Sequence, residues 1–229
     1  MFENKYGKIL TVLLIVVIVA IIGLLGYLGY DYYEKYFITK DTAEFVDSFG
    51  AENANTTNET NTNNTTDSNT NVDENILDGI QSADNSGNSS SNTTKRKTYK
   101  GFNVVGTIEI PKTNLKYPIL EKVTKSSIET AVAVMYGPGP NQVGNTTIMG
   151  HNYRNGLFFS NNKKLEVGDK IYITDLNGKK LTYTIYNKYE TTPEDAEYMT
   201  RNTNGAIEVS LSTCTDDSKA RLIIWAKAD

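Results

Sequence analysis

The chain opens on one long apolar segment, which is followed by a polar stretch and then by short apolar runs. Residues 9–30 form an uncharged run of 22 residues dominated by Ile, Val and Leu, and about 20 apolar residues let a helix span a bilayer. Lys5 and Lys8 precede the run, which favours a short cytoplasmic N-terminus at residues 1–8. A cleaved signal peptide is the alternative, but the run is long for one and no A-x-A site follows it. We therefore expect an uncleaved transmembrane anchor.

The polar stretch predicts a linker rather than a folded unit. Residues 41–94 are rich in Asn, Thr and Ser, and they carry ten acidic side chains and no Lys or Arg. Such a composition cannot bury enough apolar surface to offset the entropy cost of ordering the chain. We expect residues 31–98 to form a juxtamembrane and linker region, in which residues 41–94 form a disordered coil that spans roughly 40 Å. A linker of this kind would let a folded domain move near the membrane.

From residue 99 onward the pattern changes to short β-type runs that are separated by turn signals. The predicted strands lie at 104–110, 115–120, 146–150, 170–174, 180–188, 206–210 and 222–226. A short helix is expected at 126–133, and Asn177-Gly178 predicts a hairpin turn rather than a calcium loop. The expected fold is mainly all-β, a closed eight-stranded β-barrel over residues 99–229 with one or two short helices. The transmembrane helix and the disordered linker precede it.

Charge and composition then narrow the classes of function. The formal net charge is −4, but the region from Lys95 onward is mildly basic, with 19 basic and 14 acidic side chains. This bias is too weak to argue for nucleic-acid binding. Cys and His occur once each, so an internal disulfide is excluded and the usual zinc ligands are missing. We expect no metal and no cofactor, and any Cys–His catalysis within the chain must pair Cys214 with His151.

These two residues and one arginine each lie at the end of a predicted strand. Residues 146–150 lead into His151, residues 207–213 lead into Cys214, and Arg221 opens the last strand seven residues after the cysteine. A rigid strand end can aim a side chain into a cleft. A thiolate nucleophile, an imidazole acid or base and a permanent cation are the groups that acyl transfer needs.

Taken separately, each residue has an ordinary structural explanation. A buried cysteine is more often an inert small hydrophobic residue, a histidine at a strand end is more often a surface or capping residue, and most arginines that open strands are solvated. Arg154 and Arg201 are rivals for the role of Arg221, but neither lies on a strand after Cys214.

The flanking sequences, however, resemble those of the sortase family. Ile148-Met149-Gly150-His151 is similar to its ITGH-like block, and Ser210-Leu211-Ser212-Thr213-Cys214 is similar to its TLxTC block. The order His, Cys, Arg and the separation of 63 residues between His and Cys also fit. The resemblance covers roughly residues 104–227. Two departures are Ser210, where the family usually has Thr, and the short Cys–Arg interval, which leaves the subclass open.

The resemblance implies a cysteine transpeptidase with the family's eight-stranded barrel. Cys214 would attack the Thr–Gly bond of an LPxTG-like sorting signal on a surface protein and form a thioacyl-enzyme. His151 would protonate the departing amine and help to activate the incoming one, and Arg221 would bind the substrate backbone or the oxyanion. Ser212 and Thr213 would contribute to substrate binding. The acceptor would be a peptidoglycan precursor amine, which places the catalytic domain outside a Gram-positive cell membrane.

Other classes fit less well. Papain-like enzymes place Cys before His, L,D-transpeptidases place Arg two residues after Cys, and caspases share the order but not the cysteine context. The alternatives that remain are a surface-displayed cysteine peptidase and a non-enzymatic β-barrel module on a stalk. Pilin-polymerising sortases usually carry an Asp-Pro lid and a second, C-terminal anchor, whereas the first proline here is Pro111 and the chain ends just past the last predicted strand. We therefore expect protein anchoring rather than pilus assembly.

Overall fold

A computed structural model describes residues 5–58 and 97–229 of the chain. Residues 1–4 and 59–96, which include part of the predicted cytoplasmic N-terminus and most of the predicted linker, lie outside the described residues. The described part consists of one long N-terminal helix and a β-domain, so the site can be located on its strands.

The elements follow the chain in a simple order. The helices are α1 (Lys5–Asn58), α2 (Lys125–Thr130) and α3 (Glu197–Thr200). The strands are β1 (Thr98–Tyr99), β2 (Phe102–Ile110), β3 (Leu115–Leu120), β4 (Val132–Tyr136), β5 (Gly144–Met149), β6 (Lys170–Asp175), β7 (Lys180–Thr191), β8 (Ile207–Cys214) and β9 (Arg221–Ala228).

Eight of these strands close into a barrel. Their order is β2-β3-β4-β5-β8-β9-β7-β6, and β6 pairs back onto β2, while the short β1 extends the sheet beside β2. All pairings are antiparallel except β3 with β4 and β5 with β8. The predicted closed eight-stranded barrel is confirmed, and its sheet is mixed.

The barrel closes around aliphatic side chains, which point inward from alternate positions of its strands. The most deeply buried ones, all at 0 or 1% exposure, include Ile108, Ile110, Ile119, Ile148, Ile171, Ile173, Leu211 and Ile224. A filled barrel holds its strand ends rigidly, and catalytic side chains placed there are correspondingly well positioned.

The segment around β4 differs from the sequence prediction. The helix expected at 126–133 ends at Thr130, because Val132 already begins a strand. The helix starts with a capping box, in which Thr124 and Ser127 exchange side-chain and backbone hydrogen bonds. The sequence does not show this boundary, because six helical residues followed by five strand residues are too few to give a clear period.

Helix α1 is longer than the predicted anchor. Its segment Ile9–Ala51 is long and apolar enough to cross a membrane, judged by length and composition. The helix then continues to residue 58, and Thr42, Val46 and Phe49 are buried against the barrel. The prediction that disorder begins at residue 41 is therefore wrong. The composition was averaged over a long polar stretch, and that average concealed one apolar helical face.

Candidate active site

The pairing of β5 with β8 brings the histidine and the cysteine to the same end of the barrel. The two strands are parallel, Met149 lies opposite Ser212, and the amide of Gly150 donates to the Ser212 carbonyl at 3.2 Å. His151 follows Met149 by two residues, and Cys214 follows Ser212 by two residues. Both side chains therefore emerge together where the strands end.

The pairing of β8 with β9 adds the arginine. Cys214 lies opposite Arg221 in this antiparallel pair, and the Arg221 Nη1 donates to the Cys214 Sγ at 2.8 Å. The connecting loop is closed by a hydrogen bond from the Thr215 amide to the Ala220 carbonyl at 3.0 Å. The short Cys–Arg interval, which departs from the family pattern, is what places the arginine directly across from the thiol.

The two rival arginines are engaged elsewhere. Arg201 pairs with Glu208 at the start of β8, and its Nη2 donates to the Asn145 Oδ1 at 2.9 Å. Arg154 donates to the Ser218 hydroxyl at 3.0 Å in the β8–β9 loop. Among the hydrogen bonds of the described residues, only that of Arg221 reaches the thiol.

His151, Cys214 and Arg221 share one cavity of about 250 Å³. Most of its remaining wall is apolar, with Val123, Ile128 and Met149 among the lining residues. Within residues 5–58 and 97–229, no group of three or more His, Cys, Asp or Glu side chains is placed to hold a metal ion. The cavity therefore combines a thiol, an imidazole and a guanidinium with a largely apolar surface.

The glycine before the histidine is required by close packing. A Cβ at Gly150 would lie 2.8 Å from Cδ2 of the Phe159 ring and 2.9 Å from Cγ1 of Val132. Real contacts of this kind are essentially never that short, so a side chain here would push the end of β5 away from its neighbours. The Gly-His pair thus holds the histidine close to the barrel rim.

The ring of His151 rests on aromatic neighbours. It lies at 4.7 Å and 30° from the Tyr153 ring, and it meets the Phe158 ring edge-on at 6.3 Å. Partial burial lowers the pKa of His151 below its ordinary value, and the negative charge of Glu129 opposes this shift. Burial is the larger effect, because removing an imidazolium from water costs more than the carboxylate returns. The free site therefore favours a neutral imidazole near pH 7.

A second, smaller cavity lies on another side of the cysteine. Its volume is about 150 Å³, Thr213 and Cys214 line it as well as the first cavity, and its polar lining includes Asn152, Lys163 and Asp216. Hydrogen bonds from Lys163 and then from Asn152 lower the pKa of Asp216, so this carboxylate is ionised at neutral pH. The thiol is thus reached from an apolar cavity and from one of mixed polarity.

The two residues expected to bind substrate have different positions. Thr213 lines both cavities, and its buried hydroxyl has no hydrogen-bond partner among the described residues. Ser212 is fully buried, and its hydroxyl lies 3.2 Å from the Tyr198 hydroxyl. The structure therefore brings Thr213 to the site, whereas Ser212 packs against Tyr198 and lines neither cavity.

Asn152 is a site residue that the sequence did not reveal. Its Nδ2 donates to the carbonyl of Cys214 at 3.0 Å and to the Oδ1 of Asp216 at 2.9 Å. Its Oδ1 accepts from the Arg154 amide at 3.0 Å. One side chain therefore ties the loop after His151 to the end of the strand that carries the thiol. Its place directly after the histidine was the only available signal.

Comparisons with known proteins agree on one family. A family model described as "Sortase domain" matches residues 108–229. Sortase A of Bacillus anthracis is 32% identical over 127 residues, which cover 53% of this chain and 58% of that protein. The chain thus matches less than two thirds of that relative's length.

Solved structures give the same result. A Sortase D5 transpeptidase from Clostridium perfringens is similar with a TM-score of 0.51 and 31% identity, covering 55% of this chain and 79% of that one. Sortase A from Corynebacterium diphtheriae is similar with a TM-score of 0.51 and 25% identity, covering 56% of this chain and 61% of that one. The resemblance seen in the short His and Cys blocks therefore extends over the barrel.

Proposed function

The chain belongs to the sortase family, and we propose that it is a cysteine transpeptidase that cleaves an LPxTG-like sorting signal and joins the released protein to a cell-wall amine. The observation that carries this proposal is the contact of the Arg221 Nη1 with the Cys214 Sγ at 2.8 Å, in a cavity that His151 also lines. A thiol that contacts a cation and shares its cavity with an imidazole is equipped for attack on a carbonyl.

The reaction proceeds in two acyl transfers. In the first, His151 takes the thiol proton, the Cys214 sulfur bonds to the threonine carbonyl carbon, and the Thr–Gly bond breaks as His151 returns the proton to the leaving amine. In the second, an acceptor amine attacks the thioester, gives up a proton to His151, and releases the Cys214 sulfur. The guanidinium of Arg221 stabilises the negative charge that develops in each step.

The two cavities beside Cys214 suit two different substrates. The apolar wall formed by Val123, Ile128 and Met149 matches the hydrophobic residues of a sorting signal, and Thr213 lines the same cavity. The smaller cavity has the polar side chains of Asn152, Lys163 and Asp216 in its wall, and these match a hydrophilic acceptor. Separate approaches would let the acceptor amine reach the thioester while the acyl chain still fills the first cavity.

The location of the enzyme follows from its N-terminal helix. We infer a single membrane pass with a cytoplasmic N-terminus, because Lys5 and Lys8 precede the apolar run. The catalytic barrel is then extracellular, where surface proteins and peptidoglycan precursors meet. These are the partners that the proposed reaction requires.

The test is capture of the acyl-enzyme. The protein is mixed with an LPxTG-like peptide, quenched in acid and weighed by mass spectrometry, with Cys214→Ala as the control. The expected result is a mass increase equal to the acyl fragment on the wild type and none on the variant. Peptide cleavage that persists in a folded Cys214→Ala variant would overturn the assignment, since the chain has no second cysteine.

A further inference from the structure

One face of α1, beyond the apolar span, packs on the outside of the barrel at β2 and β3. The residues of this docking face recur at spacings of three and four, and they are Ile38, Thr42, Phe45, Val46 and Phe49. Such spacing lines up side chains along one side of a helix. Thr42, Val46 and Phe49 are 1, 4 and 1% exposed, so these side chains are nearly as buried as those of the barrel interior.

Charged groups fix the edges of the contact. Asp41 accepts a hydrogen bond from the Tyr99 hydroxyl at 2.6 Å and pairs with Lys100 at 2.8 Å. Asp47 pairs with Lys116 of β3 at 2.6 Å. Hydrogen bonds from Lys100 and then from Tyr99 lower the pKa of Asp41, so its charge persists at neutral pH. Exposed ion pairs contribute little stability, but pairs on both flanks select one orientation.

The helix between the apolar run and the docking face is short and uninterrupted. Tyr30 ends the run and Ile38 begins the docking face, a separation of about 12 Å at the helical rise. Proline is the usual cause of a sharp kink, and all five prolines of the chain follow residue 110. Little room for bending is therefore left between the membrane and the barrel.

We propose that residues 31–51 form a rigid strut that holds the barrel at one height and one orientation above the bilayer. The membrane setting rests on the proposed function, whereas the strut rests on the packing of α1. A flexible linker would let the active site sample many heights. A strut confines it to substrates whose reacting groups lie at a fixed distance from the membrane surface, such as a lipid-linked acceptor.

The experiment is a pair of spin-label distances in the full chain in lipid nanodiscs. With Cys214→Ser as background, labels are attached through Glu44→Cys on the exposed side of α1 and Lys122→Cys on the barrel. Val46→Asp places a charge in the dry contact, and Ser48→Asp places the same charge on the exposed side as a matched control. Trp225 fluorescence reports whether the barrel remains folded in each variant.

If residues 31–51 form a strut, the distance between the labels at positions 44 and 122 should be narrowly distributed in the unmodified background and in Ser48→Asp. The same distance should be broadly distributed in a folded Val46→Asp. A broad distribution in the unmodified background would overturn the proposal.

Hydrogen exchange tests the same contact by a second measurement, which applies even if Val46→Asp does not fold. The amides of residues 31–49 should be protected, and Val46→Ala should weaken protection near the cavity it leaves by on the order of 10-fold. Rapid exchange at 31–37 in the wild type would also overturn the strut. Neither measurement requires catalysis, so an inactive enzyme would refute the proposed function and leave the strut intact.

Discussion

Replacing Arg221 by lysine is the sharpest test of the proposed catalytic arrangement. The change keeps a positive charge but removes the planar group whose Nη1 reaches the Cys214 Sγ at 2.8 Å. The strand pairing fixes the backbone of Arg221 opposite Cys214, so a lysine ammonium cannot recover the fork of donors by a backbone shift. Losing one preorganised donor to developing charge costs about 2.7–4 kcal/mol. We expect kcat/KM for peptide cleavage to fall by about 10²-fold or more.

The assay is initial-rate cleavage of a fluorogenic sorting peptide, with the thermal midpoint measured on the same samples. Arg154→Lys and Arg201→Lys are the internal controls. Arg154→Lys should keep near-normal kcat/KM, because its contact is with Ser218 in the loop. Arg201→Lys should lower the thermal midpoint while kcat/KM stays near normal, because a lysine ammonium cannot bridge Glu208 and Asn145 as the guanidinium does.

The outcome that refutes the reasoning is specific. If Arg221→Lys keeps near-normal kcat/KM while one control collapses in a folded protein, the catalytic cation is that other arginine. If all three variants stay active, none of these three arginines acts through its donor geometry, and the mechanism reduces to the Cys214–His151 pair.

Three further predictions concern the surroundings of the site. Asn152→Ala should lower kcat by about 10-fold or more with little change in KM, because it releases the His151 loop from the Cys214 strand; an equal change in both constants would indicate a binding role. Glu129→Gln should lower the pKa of His151 further, because the carboxylate opposes the effect of burial; the acid limb of the kcat/KM profile should then move to lower pH, and an unmoved limb would show that Glu129 does not act on the histidine. A chain of residues 95–229 should melt about 5 °C or more below one of residues 36–229, since it lacks Val46 and Phe49; equal midpoints would mean that the α1 contact adds no stability.

Much of the barrel was readable from the sequence because its strands obey local rules. Alternating apolar residues and turn signals located most of the strands, and the apolar runs before His151 and Cys214 placed both at strand ends. Which strands are neighbours depends on contacts between distant residues. The parallel β5–β8 pair and the position of Arg221 therefore had to come from the structure, although the family resemblance had already suggested the three residues together.

Three features were not predicted from the sequence, and each of them also depends on contacts between residues that are distant in the chain. The docking face of α1 has only five residues, of which four are apolar. Packing against the barrel wall stabilises this part of the helix more than its intrinsic helix propensity does. Asn152 acts through two partners more than 60 residues away in the chain. Ser212 belongs to the same sequence block as Thr213, yet Tyr198 covers it and keeps it from the site.

The most direct test of the account is the fate of the acyl group when an amine competes with water. The protein is incubated with an LPxTG-like peptide and increasing concentrations of glycine-based amines, and the products are quantified by mass spectrometry. A thioacyl-enzyme that serves as a transpeptidase should divert product from free acid to amide, and turnover should rise if hydrolysis limits the rate. Free acid alone at saturating concentrations of several chemically different amines would contradict the account and identify a cysteine peptidase.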